Sequence, residues 1–119
     1  MKIKGYTLHG DYYLANNVTP CKNWQEACEM KEIITLPNGK KVIAHTLSKK
    51  ELETIPREER GIRGYWYWYW INTITCDGVW YMNSIGDFNY YNIRYCSYSG
   101  GARLGFHKNE IKRRLLNIE

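Results

Sequence analysis

The chain has no apolar run long enough to cross a bilayer, which takes about 20 consecutive apolar residues. That absence excludes a spanning helix. The opening residues, MKIKGYTLHGDYY, hold no apolar segment of the kind a secretory signal requires. The expectation is a soluble protein located in the cytoplasm, with no membrane partner. Catalytic signatures are missing as well. There is no glycine-rich phosphate loop and no nucleophile elbow. His9, His45 and His107 share no metal spacing, so they read as solvated or hydrogen-bonded imidazoles. Cys21, Cys28, Cys76 and Cys96 form no C-x-x-C pair, which argues against a zinc framework. Without an export signal, four reduced structural thiols follow. No cofactor and no enzymatic activity are expected. Internal repeats and low-complexity segments are absent too, so 1–119 reads as one domain.

The most informative absence is local. Residues 71–101 contain no lysine, glutamate or glutamine, although 24% of the whole chain is charged. Asparagine, tyrosine, serine, threonine, isoleucine, glycine and aspartate stand there instead. Binding loops use this mixture: rigid tyrosines supply contact area, and small polar residues supply adaptable hydrogen bonds. The candidate binding residues are Tyr81, Asn83, Asp87, Asn89, Tyr90, Tyr91, Asn92, Arg94, Tyr95, Tyr98 and Arg103. Nearly every residue of the block can be written with a codon ending in a pyrimidine. Retroelement-driven mutagenesis leaves that bias; an ordinary tyrosine-rich sheet face is the plainer account.

What the chain does have is aromatic side chains: 15% of residues, with 11 tyrosines, 5 tryptophans and 2 phenylalanines. Tyr65 to Trp70 read YWYWYW. In a strand, alternate residues face opposite sides. Trp66, Trp68 and Trp70 then face the core, while Tyr65, Tyr67 and Tyr69 face water or a second layer, because a tyrosine hydroxyl needs a partner.

Local signals give the remaining elements. Ile3 to Ala15 reads as two short strands around Gly10-Asp11, and Pro20 breaks the pattern. Asn23 with Glu26 caps a helix carrying Trp24, Ala27, Cys28 and Lys31 at helical spacing. Pro37-Asn38-Gly39 turns the chain between the β-prone runs IITL and VIAH. Ser48 to Ile55 is a second helix with Ser48/Glu51 as capping box, and Pro56 ends it. Residues 57–64 read as a solvated loop. Strands are expected at 65–73, 79–84, 87–95 and 102–107, with turns at Asp77-Gly78, Gly86-Asp87 and Gly100-Gly101. A terminal helix spans 109–118, with Asn109 as cap and Ile111, Leu115 and Ile118 on one stripe. Helices early and strands late indicate an α+β fold.

Charge points to partners. The net charge is +5, and Arg94, Arg103, Lys108, Lys112, Arg113 and Arg114 gather late in the chain. Beside stackable tyrosines they suit a nucleic acid or nucleoprotein, and a single-stranded nucleic-acid binder is one reading. A solvated helix face is the usual meaning of KRR.

Five segments in order resemble the C-type lectin-like domain of bacterial and phage proteins, over most of the chain. Trp24 and Ala27 match "W-x-x-A" on a first helix, and Leu47, Glu51 and Leu52 match "LP-T-x-x-EL" on a second. Tyr69-Trp70-Ile71-Asn72-Thr73 stands for "YW-S-S-T", Val79-Trp80-Tyr81-Met82 for "A-W-Y-V", and Gly101-Ala102-Arg103-Leu104 for "G-V-R-P". Ile71-Asn72, Ala102, Leu104 and the terminal helix depart from that pattern. The resemblance implies two helices flanking a twisted antiparallel sheet, Trp70 and Trp80 in the core, and binding on one side. Sugar-binding relatives hold calcium through Glu-Pro-Asn or Gln-Pro-Asp, and neither motif occurs here. After residue 60 the only acids are Asp77, Asp87, Glu110 and Glu119, too few for a calcium cage. Formylglycine-generating oxidases of this fold need a paired reactive cysteine. Cys76 and Cys96 lie outside that family's motif, and two structural thiols are the plainer reading.

The resulting expectation is a non-enzymatic binding module, encoded by a phage or mobile element, recognising a protein or glycan through residues 81–101. It would sit on the virion surface if the protein is a phage structural component. The alternative is a small intracellular inhibitor of a host defence complex such as an RNA-guided nuclease.

Overall fold

The computed structural model describes residues 2–62 and 68–111. It is an α+β fold in which the paired strands run antiparallel. Strands β1 (Tyr6–His9) and β2 (Tyr12–Ala15) form a hairpin, and β3 (Thr19–Cys21) follows. Helix α1 (Trp24–Glu29) starts where the Asn23 side chain accepts the Glu26 N–H at 2.8 Å. Strands β4 (Lys31–Thr35) and β5 (Lys41–Thr46) are joined by a turn in which Gly39 takes φ +85°, a left-handed value that glycine adopts without strain.

Helix α2 (Lys49–Leu52) opens on the expected capping box: Glu51 N–H donates to Ser48 Oγ and Ser48 N–H to Glu51 Oε1. One further helical turn, α3 (Arg57–Arg60), is followed by β6 (Tyr69–Thr75), β7 (Gly78–Met82) and β8 (Phe88–Tyr91). A 3₁₀ turn (Ile93–Tyr95) leads to β9 (Gly100–Ala102) and β10 (Leu104–His107).

The strands form a five-stranded sheet in the order β1-β2-β10-β5-β4, a ribbon β3-β9 and a three-stranded sheet β6-β7-β8. In the first sheet the late strand β10 lies between β2 and β5. Its two edges come within side-chain reach, for the Tyr6 hydroxyl on β1 donates to Glu32 Oε1 on β4 at 3.0 Å. The sheet therefore curls around its own core, where Tyr13 stacks on Phe106 with Val42, Ala44 and Ile34 beside them.

Strand β6 divides its residues between two other clusters, as alternation requires. Tyr69 and Ile71 pack with Leu14, Leu52, Ile55 and Met82. Trp70 packs on the opposite side with Cys21, Ala27, Val79 and Ala102. The Trp24 indole N–H on α1 ties the helix to β6 by donating to the Ile71 carbonyl at 2.8 Å.

Several local expectations change. Lys31 belongs to β4, not to the first helix, because α1 ends at Glu29. Pro20 does not break a strand; it pairs with Gly101 in the two-stranded ribbon, where a missing N–H is tolerated at an open edge. Gly100-Gly101 is strand, not turn. Residues 57–60 are helical, because Pro56 presets the entry dihedral and Glu58 and Glu59 suit a helix start. The run expected over 87–95 stops at Tyr91, since the Asn92 side chain accepts the Arg94 N–H and begins the 3₁₀ turn. Trp80 is half-buried rather than core; its indole N–H donates to Thr75 Oγ1 near the surface. Residues 109–111 are helical with Ile111 buried, while the rest of the 109–118 helix, and Tyr65, Trp66 and Tyr67, lie outside the described residues. No helix among the described residues is long and apolar enough to cross a membrane.

Candidate binding surface

The β6-β7-β8 sheet presents one face to the Trp70 cluster and one to the Tyr69 cluster. Register fixes which residues share each face. Trp70 stands opposite Tyr81, Tyr81 opposite Asn89, and Val79 opposite Tyr91. Tyr81 and Tyr91 are thus diagonal neighbours, within reach for large rings. Their rings stack with centroids 4.7 Å apart and planes 18° apart. Burial raises the Tyr81 phenol above its ordinary value, and a hydrogen bond with Tyr91 adds to the effect.

A chain of ring contacts leads from this pair in both directions. Inward, Tyr81 meets Trp68 at 5.0 Å and Trp70 at 6.4 Å. Outward, Tyr91 meets Tyr95 at 6.1 Å and Tyr98 at 6.2 Å, and the last two meet each other at 5.0 Å. Six rings therefore run without a break from the buried Trp70 to Tyr98, which is 51% exposed. The Arg94 guanidinium lies 5.0 Å over the Tyr95 ring, a cation–π contact.

Beside Trp68 the surface sinks into a groove of about 380 Å³, lined by Val18, Pro20, Cys21, Trp68, Ser99, Gly100 and Gly101. That volume falls in the ordinary range for ligand sites, roughly 300–1,000 Å³. Two glycines shape it. A Cβ on Gly100 would lie 2.5 Å from Trp68 Cη2, and one on Gly101 would run into Val18 Cγ1. Only glycine lets the Trp68 ring lie this close to β9. The Trp70 indole N–H is buried next to Gly100 and has no acceptor among the described residues. Burial pushes the Cys21 thiol up to about 11, which disfavours the thiolate, and Sγ donates to the Gly100 carbonyl. The other three cysteines are free as well, Cys28 with its thiol also pushed up by burial to about 11.

The eleven sequence candidates separate into groups. Tyr81, Asn89, Tyr91, Arg94, Tyr95 and Tyr98 belong to the ring-lined side described above. Tyr90 points to the opposite face, where it meets Trp80 at 5.0 Å. Lys49 Nζ lies over that Trp80 ring and over Phe88. Asn83 organises the β7–β8 turn, its side chain accepting the N–H groups of Ile85 and Asp87. Asp87 is held by Arg57 through two hydrogen bonds of 2.6 and 3.1 Å, and this guanidinium lowers its carboxyl below the usual value. Asn92 caps the 3₁₀ turn.

Arg103 is a correction. It is buried, with Nε donating to the Ala15 carbonyl and an amino group to that of Arg60, and it lies over the Tyr69 ring. The Ala15 and Arg60 carbonyls and a ring hold it inside, the Arg60 carbonyl also accepting from the Tyr69 hydroxyl at 2.6 Å, so it is a structural tie and offers no surface. The sequence reading missed the groove. Alternation places Trp68 in the core with Trp70; its half-buried ring packs against that cluster and also forms the groove wall. The Gly-Gly pair after Tyr98-Ser99 is the sequence signal for it, because adjacent glycines mark close packing as well as turns.

Among the described residues no group of three or more histidine, cysteine, aspartate or glutamate side chains is placed to hold a metal ion. No protein-family model matches the chain, and neither a curated protein nor a solved structure matches it.

Proposed function

We propose that the protein is a non-enzymatic binding module that grips a macromolecular partner with the tyrosine surface of residues 81–101. One observation carries this reading. Of the eight large apolar side chains most exposed among the described residues, Ile74, Ile85, Tyr90, Ile93 and Tyr98 come from 71–101. Tyr98 continues the ring ladder and Tyr90 stands on the sheet's other face, so exposed apolar area flanks the sheet on both sides, and such area marks interaction sites. The ring ladder supports the same reading, because Tyr95 and Tyr98 rest on a rigid aromatic base and lose little freedom on binding. The C-type lectin-like form of the module is part of the proposal. It is supported by the order of the motif segments, by Trp24 on α1 fastened to β6, and by Trp70 in the core.

The test is affinity capture with the immobilised protein, comparing the native chain with a Tyr95→Ala/Tyr98→Ala variant. The variant should keep its circular dichroism and lose its partner. A folded variant that captures at full strength overturns the assignment.

A further inference from the structure

We propose that β8 is a dimerisation edge: two copies of this chain pair their Phe88–Tyr91 strands antiparallel about a two-fold axis, joining two three-stranded sheets into one of six strands. The inference stands apart from the tyrosine contact proposed above. It rests on where β8 points its backbone groups and on what borders them.

Strand β8 ends its sheet, with β7 as its one neighbour among the described residues. Hydrogen-bonded and non-bonded pairs alternate along an antiparallel ladder. At the β7–β8 turn the Asn83 N–H donates to the Asp87 carbonyl at 3.1 Å, which sets the phase. Tyr81 with Asn89 and Val79 with Tyr91 are then bonded pairs, while Met82 with Phe88 and Trp80 with Tyr90 are not. The Tyr91 carbonyl does face β7, for a Cβ on Gly78 would run into it. Phe88 and Tyr90 therefore aim their N–H and C=O groups away from β7, and no described residue bonds them.

Edge strands are ordinarily blunted by charge, proline or a bulge. The other edges of this protein show such protection. Strand β4 carries Lys31 and Glu32 and is bridged to β1 by the Tyr6–Glu32 hydrogen bond. Strand β6 shifts register between Trp70 and Ile74, and its Asn72 N–H donates to the Leu47 carbonyl. Strand β3 contains Pro20. Residues 88–91, FNYY, hold neither charge nor proline, and their register with β7 is unbroken.

A second copy fits this edge because the edge is its own complement. A two-fold axis normal to the sheet keeps like faces together. With Asn89 opposite Asn89 of the second copy, Phe88 stands opposite Tyr90 of the second copy, and Tyr90 opposite Phe88. That register pairs every outward N–H with an outward C=O. It sets ring beside ring on the Trp80 face, a favourable cross-strand pair, and neutral amide beside amide on the Tyr81 face. Neither strand brings a charged side chain against its like, although each copy carries a net charge of +5. The ends match as well. Ile85, 59% exposed, and Ile93, 49% exposed, flank Asn89 at equal separations along the chain. Antiparallel pairing lays the Ile85 end of one strand beside the Ile93 end of the other.

The test begins with the native chain. Sedimentation over a concentration series should show a monomer–dimer equilibrium. Amide hydrogen exchange at Phe88 and Tyr90 should slow as the dimer forms, while Asn89 and Tyr91, already bonded to β7, should not change. Charge at the axis then tests the register. Asn89 is exposed, so Asn89→Asp and Asn89→Lys should both keep their circular dichroism. Each should weaken the dimer about tenfold or more, because like charges then face each other. Mixed in equal amounts, the two variants should restore it as a heterodimer, which native mass spectrometry resolves.

A chain that stays monomeric up to its solubility limit overturns the inference. So does a dimer that leaves exchange at Phe88 and Tyr90 unchanged, or one that both Asn89 variants form as tightly as the native chain. A mixture no tighter than its components overturns the register and the inference with it. Slowed exchange at Phe88 and Tyr90 only in the presence of a captured partner also overturns it, and gives the edge to a strand of that partner. Tyr95→Ala/Tyr98→Ala leaves β8 intact and should dimerise like the native chain; loss of the dimer there would move the contact to the tyrosine surface and overturn the assignment to β8.

Discussion

The two larger sheets of this protein treat their outer faces in opposite ways. On the edge strand β4 of the five-stranded sheet and its neighbour β5, exposed positions carry Lys31, Glu32 and Lys41 around a single apolar pair, Ile33 opposite Ile43. Its aromatic rings, Tyr6, Tyr13 and Phe106, are inside. The strands of the β6-β7-β8 sheet contribute no lysine or glutamate of their own, and on the Tyr81 side rings continue from the core into solvent. The first pattern is what solubility and folding require. The second leaves apolar area exposed that folding would otherwise bury, and contact with another molecule is the ordinary reason for that. The same residue type has opposite meanings in the two sheets: Tyr13 is packing, Tyr98 is surface.

Substitutions can break this contrast, and the largest effect belongs to the point where the ladder enters the core. Trp70→Ala should destabilise the protein by about 3–5 kcal/mol, because it removes a fully buried ring from the third cluster. Urea titration measures it, and a loss near that of a surface position would separate the ladder from the core. Arg103→Ala comes next. It removes the guanidinium donor from the carbonyls of Ala15 and Arg60, the latter keeping the Tyr69 hydroxyl, and hydrogen bonds from charged groups contribute about 1.5–3 kcal/mol each. A midpoint shift of that order is expected, with partial recovery in Arg103→Lys.

At the outer end of the ladder the effect should almost vanish. Changing Tyr98 there to Glu, and the exposed Ile93 five residues earlier in the chain to Lys, the surface chemistry of the other sheet, should move stability by about 0.5 kcal/mol or less each while abolishing partner capture. A large stability loss would mean that these side chains serve packing after all.

The smallest effect concerns acid. The Asp87 side chain is 41% exposed, and Arg57 lowers its carboxyl below the ordinary value. A depressed folded value adds stability above the unfolded carboxylate value, about 3.9, and that addition is lost as pH falls through the folded value. Stability of the native chain should therefore decline slightly more below pH 4 than that of Asp87→Asn, by an amount that added salt reduces.

Much of the frame was legible because its signals are local. Asn23 and Ser48 cap helices wherever they occur before a suitable third residue, and Asp77-Gly78 and Pro37-Asn38-Gly39 turn the chain by their own dihedrals. Alternation put Trp70 and Tyr69 on different sides, and both are buried, in separate layers. What escaped is decided by distant residues. Gly100 and Gly101 are needed because Trp68 and Val18 occupy the space a side chain would take. Arg103 is drawn inward by carbonyls 88 and 43 positions away along the chain. Pro20 can lie in a strand because its partner β9 arrives from the far end of the sequence. Of the surface candidates, composition found the tyrosines but not the groove between them and the β3-β9 ribbon.

The position of β10 bears on how the chain is made. Strand β10, Leu104–His107, separates β2 from β5, so the five-stranded sheet has no middle until residue 107 has left the ribosome. At about 5–20 residues per second, the nascent chain carries Tyr13, Val42 and Ala44 without their cover for several seconds. Folding must then close long-range contacts in one late step, which makes it slow for its size and exposes apolar strands to chaperones in the meantime. Chains arrested before residue 104 should bind a holdase and be cleaved readily by protease, and chains arrested far enough downstream to clear the exit tunnel should resist both.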